Sequence, residues 1–141
     1  MGHTPTTPAV DDRPLRFLEK AEVPEAHRTI LMRLVRHAQA LARDAEAEDK
    51  LQSEFGKEHV ALIHDCDQFL RIHKRGAASG RVEVLLDDGA KEALRAAGFD
   101  LGEPQGTVFR MFGWVSVDPT AGKEEALQEA VAASYRRARR A

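Results

Sequence analysis

The chain has 141 residues, of which 43% are hydrophobic, with a formal net charge of −2 and a sequence pI of about 6.3. This length and apolar content predict one domain with its own hydrophobic core. The balanced charge argues against the strongly basic surface of a dedicated nucleic-acid binder. A single cysteine, Cys66, excludes an internal disulfide and favours a reducing, cytoplasmic location. No apolar run approaches the ~20 residues of a membrane span, so we expect no membrane contact.

The chain begins with a polar stretch. Residues 1–13 carry three Thr and two Pro, which predicts a disordered tail ahead of a single domain at 14–141. Residues 14–18 predict a short helical turn. Apolar residues then recur at helical spacing from Ala26 to Ala45, which predicts a helix from about Pro24 to the late forties. We interpret the acidic stretch 44–58 as the solvated end of this helix and a connection.

Residues 58–75 fit either a helix or a β-hairpin. β-branched and aromatic residues on both sides of Asp65-Cys66-Asp67 favour the hairpin, with those three residues as its turn. The hairpin would pair His59 with His73 and His64 with Gln68. In a helix, His59 and His73 would lie roughly 21 Å apart and could not share a ligand.

The second half predicts two strands and two helices. Residues 81–86 alternate as a strand, and Asp87 or Asp88 caps a helix that ends at Gly98. The apolar stretch 106–119 predicts a central strand with apolar groups on both faces. A last helix runs from about Thr120 to the C-terminus. The order α-β-β-β-α-β-α predicts an α+β fold, with an antiparallel sheet of about four strands packed against helices.

Four segments of the second half carry a resemblance. Val-Glu-Val-Leu-Leu at 82–86 is followed by Leu-Arg-Ala-Ala-Gly at 94–98, Gly-Trp-Val-Ser-Val at 113–117 and Ser134-Tyr135. Over about residues 68–138 the chain thereby resembles the luciferase-domain family of bacterial proteins and, more loosely, the YjbR-like small α+β proteins. The resemblance implies the fold and no particular activity. The histidines that this family tends to carry before its Gly-Trp strand have no counterpart between Gln105 and Phe112, so no role of theirs is transferred.

Three functions remain open from the sequence. The first is a non-enzymatic module that binds a partner protein or a small ligand through Phe112, Trp114 and Arg110, with the loop 75–80 beside them, or that forms a homodimer there. The aromatic pair fits ordinary core packing as well. The second is a nucleic-acid-associated protein that uses a basic hairpin and the C-terminal arginines, namely Arg71, Lys74, Arg75, Arg81, Arg136, Arg137, Arg139 and Arg140.

The third function is an enzyme whose site has no recognisable motif. It predicts a pocket lined by His59, His73 or Arg110 with shifted pKa values. His59 and His73 are also the only candidates for a metal site, although a structural zinc site needs four ligands and Cys66 lies in the turn. We therefore expect no metal and no other cofactor.

Overall fold

A computed structural model describes residues 11–106 and 112–140, which form four α-helices and a five-stranded antiparallel sheet. The helices are α1 (Arg13–Glu19), α2 (Glu25–Asp44), α3 (Asp88–Ala96) and α4 (Glu124–Arg140). The strands are β1 (Leu51–Phe55), β2 (His59–His64), β3 (Asp67–His73), β4 (Val82–Leu85) and β5 (Trp114–Val117). The predicted α+β class is confirmed. Most of the predicted tail lies outside the described residues, and α1 already begins at Arg13.

The strands follow one another across the sheet in chain order, β1-β2-β3-β4-β5. Because side chains alternate along a strand, the strand register places one apolar set on a single face. The helices pack against this face, with α4 over β3 and β4 and α2 against α4. The buried strand residues on it are Val60, Leu62, Leu70, Ile72, Val82, Val84, Val115 and Val117. The opposite face carries buried apolar residues, among them Ala61, Ile63 and Trp114, together with several polar side chains.

The predicted hairpin is confirmed, and His59 pairs with His73. Its turn is one residue shorter than expected, since His64 pairs with Asp67 and not with Gln68. Asp65 and Cys66 have φ angles of 48° and 85°, and a two-residue turn of type I′ needs positive φ at both positions. A register shift between Leu62 and Ile63 then offsets the shorter turn. The pairing at the open end of the hairpin is therefore the predicted one.

β1 corrects our interpretation of residues 44–58. Helix α2 ends at Asp44, a 3-10 turn follows at Glu48–Lys50, and residues 51–55 form an additional strand. Its sequence, Leu-Gln-Ser-Glu-Phe, lacks the clear alternation of a half-buried strand, and none of its residues is fully buried. The polar composition of residues 51–55 is therefore typical of a connection and does not predict a strand.

β5 corrects the predicted central strand, because it lies at the edge of the sheet and pairs with β4. Its four residues are all buried, as the sequence suggested. Gly102 exchanges two backbone hydrogen bonds with Ser116 along the outer edge of the strand, and the chain then crosses the face to Gln105. The outer edge of β5, which we expected a neighbouring strand to cover, is thus covered by the connection that contains Gly102. Residues 107–111 of the predicted strand lie outside the described part of the chain.

Two helix boundaries follow the predicted local chemistry. The Asp87 carboxylate accepts a hydrogen bond from the Ala90 N–H at 2.9 Å and caps α3. Gly98 follows that helix with a φ of 105°, where a side chain would be strained. Among the helices described, none is both long and apolar enough to cross a membrane.

Candidate functional site

Four side chains form a polar cluster on the sheet face that points away from the helices. We define the polar cluster as His59, Arg71, His73 and Glu83. The register places Arg71 directly opposite Glu83 and His73 directly opposite His59. β2, β3 and β4 each contribute to it, so the cluster exists only once the sheet has formed.

Glu83 is the centre of this cluster and is fully buried. Its Oε1 lies 2.9 Å from Nε of Arg71, and its Oε2 lies 3.1 Å from Nε2 of His73. The backbone N–H of Gln105 donates a hydrogen bond to Oε2 at 2.8 Å. Burial by itself would raise the pKa of Glu83, but His73, the Gln105 amide and Arg71 together hold that pKa below its ordinary value. Glu83 is therefore a charged carboxylate inside the protein.

His59 and His73 lie side by side at the surface of the cluster, with ring centroids 5.6 Å apart. Burial lowers the pKa of His59, and the charges of Arg71 and His73 lower it further, against smaller opposite effects of Glu83 and Glu54. His59 is accordingly a neutral imidazole at physiological pH. Gly56 makes room for it, because a β-carbon on Gly56 would lie 2.6 Å from Cε1 of the His59 ring.

The polar cluster opens into a cavity of about 340 Å³, the sheet-face pocket. Two loops form its rim: the Lys74 N–H donates to the Glu58 carbonyl at 2.6 Å, and the Arg75 guanidinium donates to the Lys57 carbonyl at 3.2 Å. The Glu58 carboxylate lies against Gly76, where any β-carbon would overlap it. The lining residues are Lys57, Glu58, His59, Arg71, His73, Ala77, Ala78 and Gln105.

The residues suggested for nucleic-acid binding do not form one exposed basic surface. Arg71 is buried beside Glu83, and Arg81 donates to the Ser116 hydroxyl at 2.7 Å. The Nζ atom of Lys74 lies 4.1 Å from the centroid of the Phe17 ring. Arg75 is exposed on the pocket rim, and the C-terminal arginines lie on α4, which covers the opposite face of the sheet.

The two aromatic residues suggested for partner binding differ in exposure, so they do not form one exposed surface. Phe112 is 66% exposed, whereas Trp114 is buried in β5 with 7% of its surface exposed. Trp114 pairs with Leu85, at the end of β4 that is farther from the loop 75–80. That loop therefore does not extend the aromatic surface. Arg110 lies outside the described residues.

A metal site was the remaining suggestion for His59 and His73. Within residues 11–106 and 112–140, no group of three or more His, Cys, Asp or Glu residues is placed to hold a metal ion. The two rings are nevertheless close enough to contact one small ligand together. Their closeness follows directly from the hairpin register.

Sequence reasoning missed Glu83, the residue that organises the cluster. Its only signal is a lone acidic residue at the inner position of Val82-Glu83-Val84, which normally indicates a solvent-facing side chain. The burial comes from the connection that reaches Gln105, 22 residues later in the chain. Comparisons with protein-family models, curated proteins and solved structures found no match to this chain.

Proposed function

We propose that this protein is a binding module for a small anion, a carboxylate or a phosphate of metabolite size, held in the sheet-face pocket. At about 340 Å³ the pocket lies at the lower end of the range of small-molecule sites, roughly 300 to 1,000 Å³. A ligand with few atoms fits that space. The resemblance of the second half of the chain to known families stays a prediction and contributes no ligand to this proposal.

The observation that carries the proposal is the ion pair between the Glu83 carboxylate and Arg71 in the polar cluster. Glu83 lies within ion-pair distance of Arg71 and within hydrogen-bond distance of His73, so the Arg71 charge already balances its negative charge inside the protein. Of the remaining lining residues, Lys57 and His59 can each donate to a ligand. Among the described lining residues the other carboxylate is that of Glu58, which lies against Gly76 at the rim. Lys57 and His59 are therefore the hydrogen-bond donors that would hold a negatively charged ligand.

The energetics of Glu83 and Arg71 support a binding role over a purely structural one. Removal of two charges from water has a penalty that their mutual attraction only partly offsets, and apolar pairs at such positions are often as stable or more stable. Ionisable groups that are buried and held by specific partners concentrate at functional sites. A prearranged ion pair at the floor of an open pocket fits that pattern.

The test is a titration followed by amide NMR spectra, with inorganic phosphate, acetate and citrate as anionic probes and glycerol as a neutral one. We expect saturable shifts at residues 57–59 and 71–73 with at least one anion and none with glycerol. Lys57→Gln should weaken binding roughly three- to tenfold, because it removes one charged donor. Lys123→Gln, at an exposed lysine before α4, is the matched control and should bind like the wild type. The proposal would be refuted if none of the three anions produced saturable shifts at these residues.

One contact favours a second candidate, an enzyme that transfers a proton at the same pocket. The Nε2 atom of His73 faces the Glu83 carboxylate at 3.1 Å, an arrangement that places the imidazole proton on Nε2 and leaves Nδ1 as the acceptor. A histidine oriented in this way can act as a general base. Hydrolysis of p-nitrophenyl acetate or p-nitrophenyl phosphate that is abolished in His73→Gln and retained in Lys123→Gln would support this candidate. Equal background rates in the wild type, His73→Gln and Lys123→Gln would exclude this enzyme and leave the binding module as the proposed function.

A further inference from the structure

The two edges of the sheet differ in how they are covered. The outer edge of β5 is occupied by Gly102, which exchanges two backbone hydrogen bonds with Ser116. β1 pairs with β2 on one side, and in the described part of the chain no residue hydrogen-bonds to the backbone of its other side. Natural edge strands are usually blocked by Pro, Lys or a bulge. Leu51–Phe55 has no Pro, Lys or bulge, carries one charged side chain, Glu54, and pairs with β2 in an unbroken register.

The hydrogen-bond pattern identifies which backbone groups of β1 point outwards. The Gly56 N–H donates to the His59 carbonyl, and the Asp65 N–H donates to the Lys50 carbonyl. In an antiparallel pair such residues alternate with residues whose N–H and C=O groups point away from the partner strand. The backbone N–H and C=O groups of residues 52 and 54 thus point towards β2. The outward N–H and C=O groups belong to Leu51, Ser53 and Phe55.

We propose that two copies of this chain dimerise through β1, antiparallel, about a two-fold axis at Ser53. Each copy would donate three backbone hydrogen bonds, from Leu51, Ser53 and Phe55, and accept three. The product is a continuous ten-stranded sheet with the helices of both copies on the same face. The inference does not depend on the proposed ligand.

The side chains of β1 are complementary to themselves in this register. Leu51 lies opposite the partner's Phe55, and Phe55 is 40% exposed in the single chain although its ring is 5.5 Å from that of Phe17. On the other face of the sheet, Gln52 lies opposite the partner's Glu54, whose carboxylate can accept a hydrogen bond from the Gln52 amide. Apolar residues meet apolar residues, and no two like charges are opposed. This complementarity selects a second copy as the occupant of the edge.

The first test uses Gln52, which is exposed and can be changed without disturbing the core. Gln52→Lys places a lysine opposite the partner's Glu54 twice in each dimer, and Gln52→Glu places a like charge there. We expect the dimer dissociation constant, from sedimentation velocity at micromolar concentrations, to fall roughly 2- to 30-fold in the first variant and rise by a similar factor in the second. A wild type that is monomeric throughout, or two variants that shift in the same direction, would overturn the proposal.

The second test separates backbone pairing from side-chain effects. Ser53→Pro removes an outward N–H that β2 does not use, so it should abolish the dimer, whereas Ser53→Ala keeps the N–H and should dimerise normally. Circular dichroism checks that both variants fold. Phe112→Ser, at the other large exposed aromatic side chain described, should leave the dimer intact. Dissociation by Phe112→Ser, or equal behaviour of the two Ser53 variants when both are folded, would contradict a β1 interface.

Discussion

The Oε1 atom of Glu83 lies 2.9 Å from Nε of Arg71, and only 0% and 7% of the two side chains is exposed. Both residues come from the middle of paired strands, so the contact is fixed by backbone register and not by flexible loops. Each charge is stable inside the protein because of the other. The pair therefore couples the stability of the sheet to the arrangement of the sheet-face pocket.

Replacement of one partner should reveal that coupling. Glu83→Gln leaves the Arg71 charge buried without its counter-charge and should lower the free energy of unfolding by about 3–5 kcal/mol. Urea denaturation measures this loss. The double variant Arg71→Met with Glu83→Leu removes both charges and should be more stable than Glu83→Gln alone. A loss of less than about 1 kcal/mol in Glu83→Gln, as is usual for exposed ion pairs, would contradict the buried pair.

Stability should fall in two steps as the solution is acidified. Burial lowers the pKa of His59 and of His64 below 6.5, with Arg71 and Arg139 as the next causes. Between the folded and unfolded pKa values the unfolded chain binds more protons, so stability decreases as pH falls below about 6.5. The pKa of Glu83 is held below 4.5, and its contribution is present above that pH and is lost as pH falls through the folded pKa.

Urea denaturation at a series of pH values from neutral to acidic would measure both steps. His64→Gln should reduce the first step, because the buried imidazole no longer has to take up a proton. Glu83→Gln should reduce the second step and slightly enlarge the first, because the Glu83 charge partly offsets the lowering of the His59 pKa. Unchanged stability as the pH falls from neutral to about 5 would contradict the assignment of the first step to buried neutral histidines.

The sequence predicted the parts of the site that local register controls. Apolar alternation and an Asx-rich turn predicted the hairpin, and the predicted pairing of His59 with His73 holds because the register shift at Leu62 and Ile63 offsets a turn one residue shorter than expected. Glu83 could not be predicted, because its burial depends on Gln105 in a distant connection. β1 was missed because its polar composition carries no strand periodicity. Local patterns thus predicted the hairpin, while non-local cover determined which polar residues became buried.

The hairpin turn stores strain that a single change should relieve. Cys66 adopts a φ of 85°, a conformation that glycine accepts at no steric penalty. Cys66→Gly should therefore raise the free energy of unfolding by about 0.5–1.5 kcal/mol, since a type I′ turn prefers glycine at its second position. Cys66→Ala removes the thiol but keeps the strain and should not be stabilised. Equal thermal stability of the two variants would show that the turn is not strained.

Gly56 should control the position of His59 independently of overall stability. A β-carbon at residue 56 would lie 2.6 Å from the His59 ring, so Gly56→Ala forces that ring to move. The ring lies at the pocket surface and can yield, so we expect less than about 1 kcal/mol of lost stability and roughly tenfold weaker binding of the anion that binds the wild type. Gly89→Ala in α3 is the matched control, because its β-carbon would meet nothing closer than Oδ1 of Asp87 at 3.7 Å. The His59 ring signals in NMR spectra should shift in Gly56→Ala alone. Unshifted ring signals would mean that Gly56 does not position His59, whereas shifted signals with unchanged anion binding would remove His59 from the ligand site.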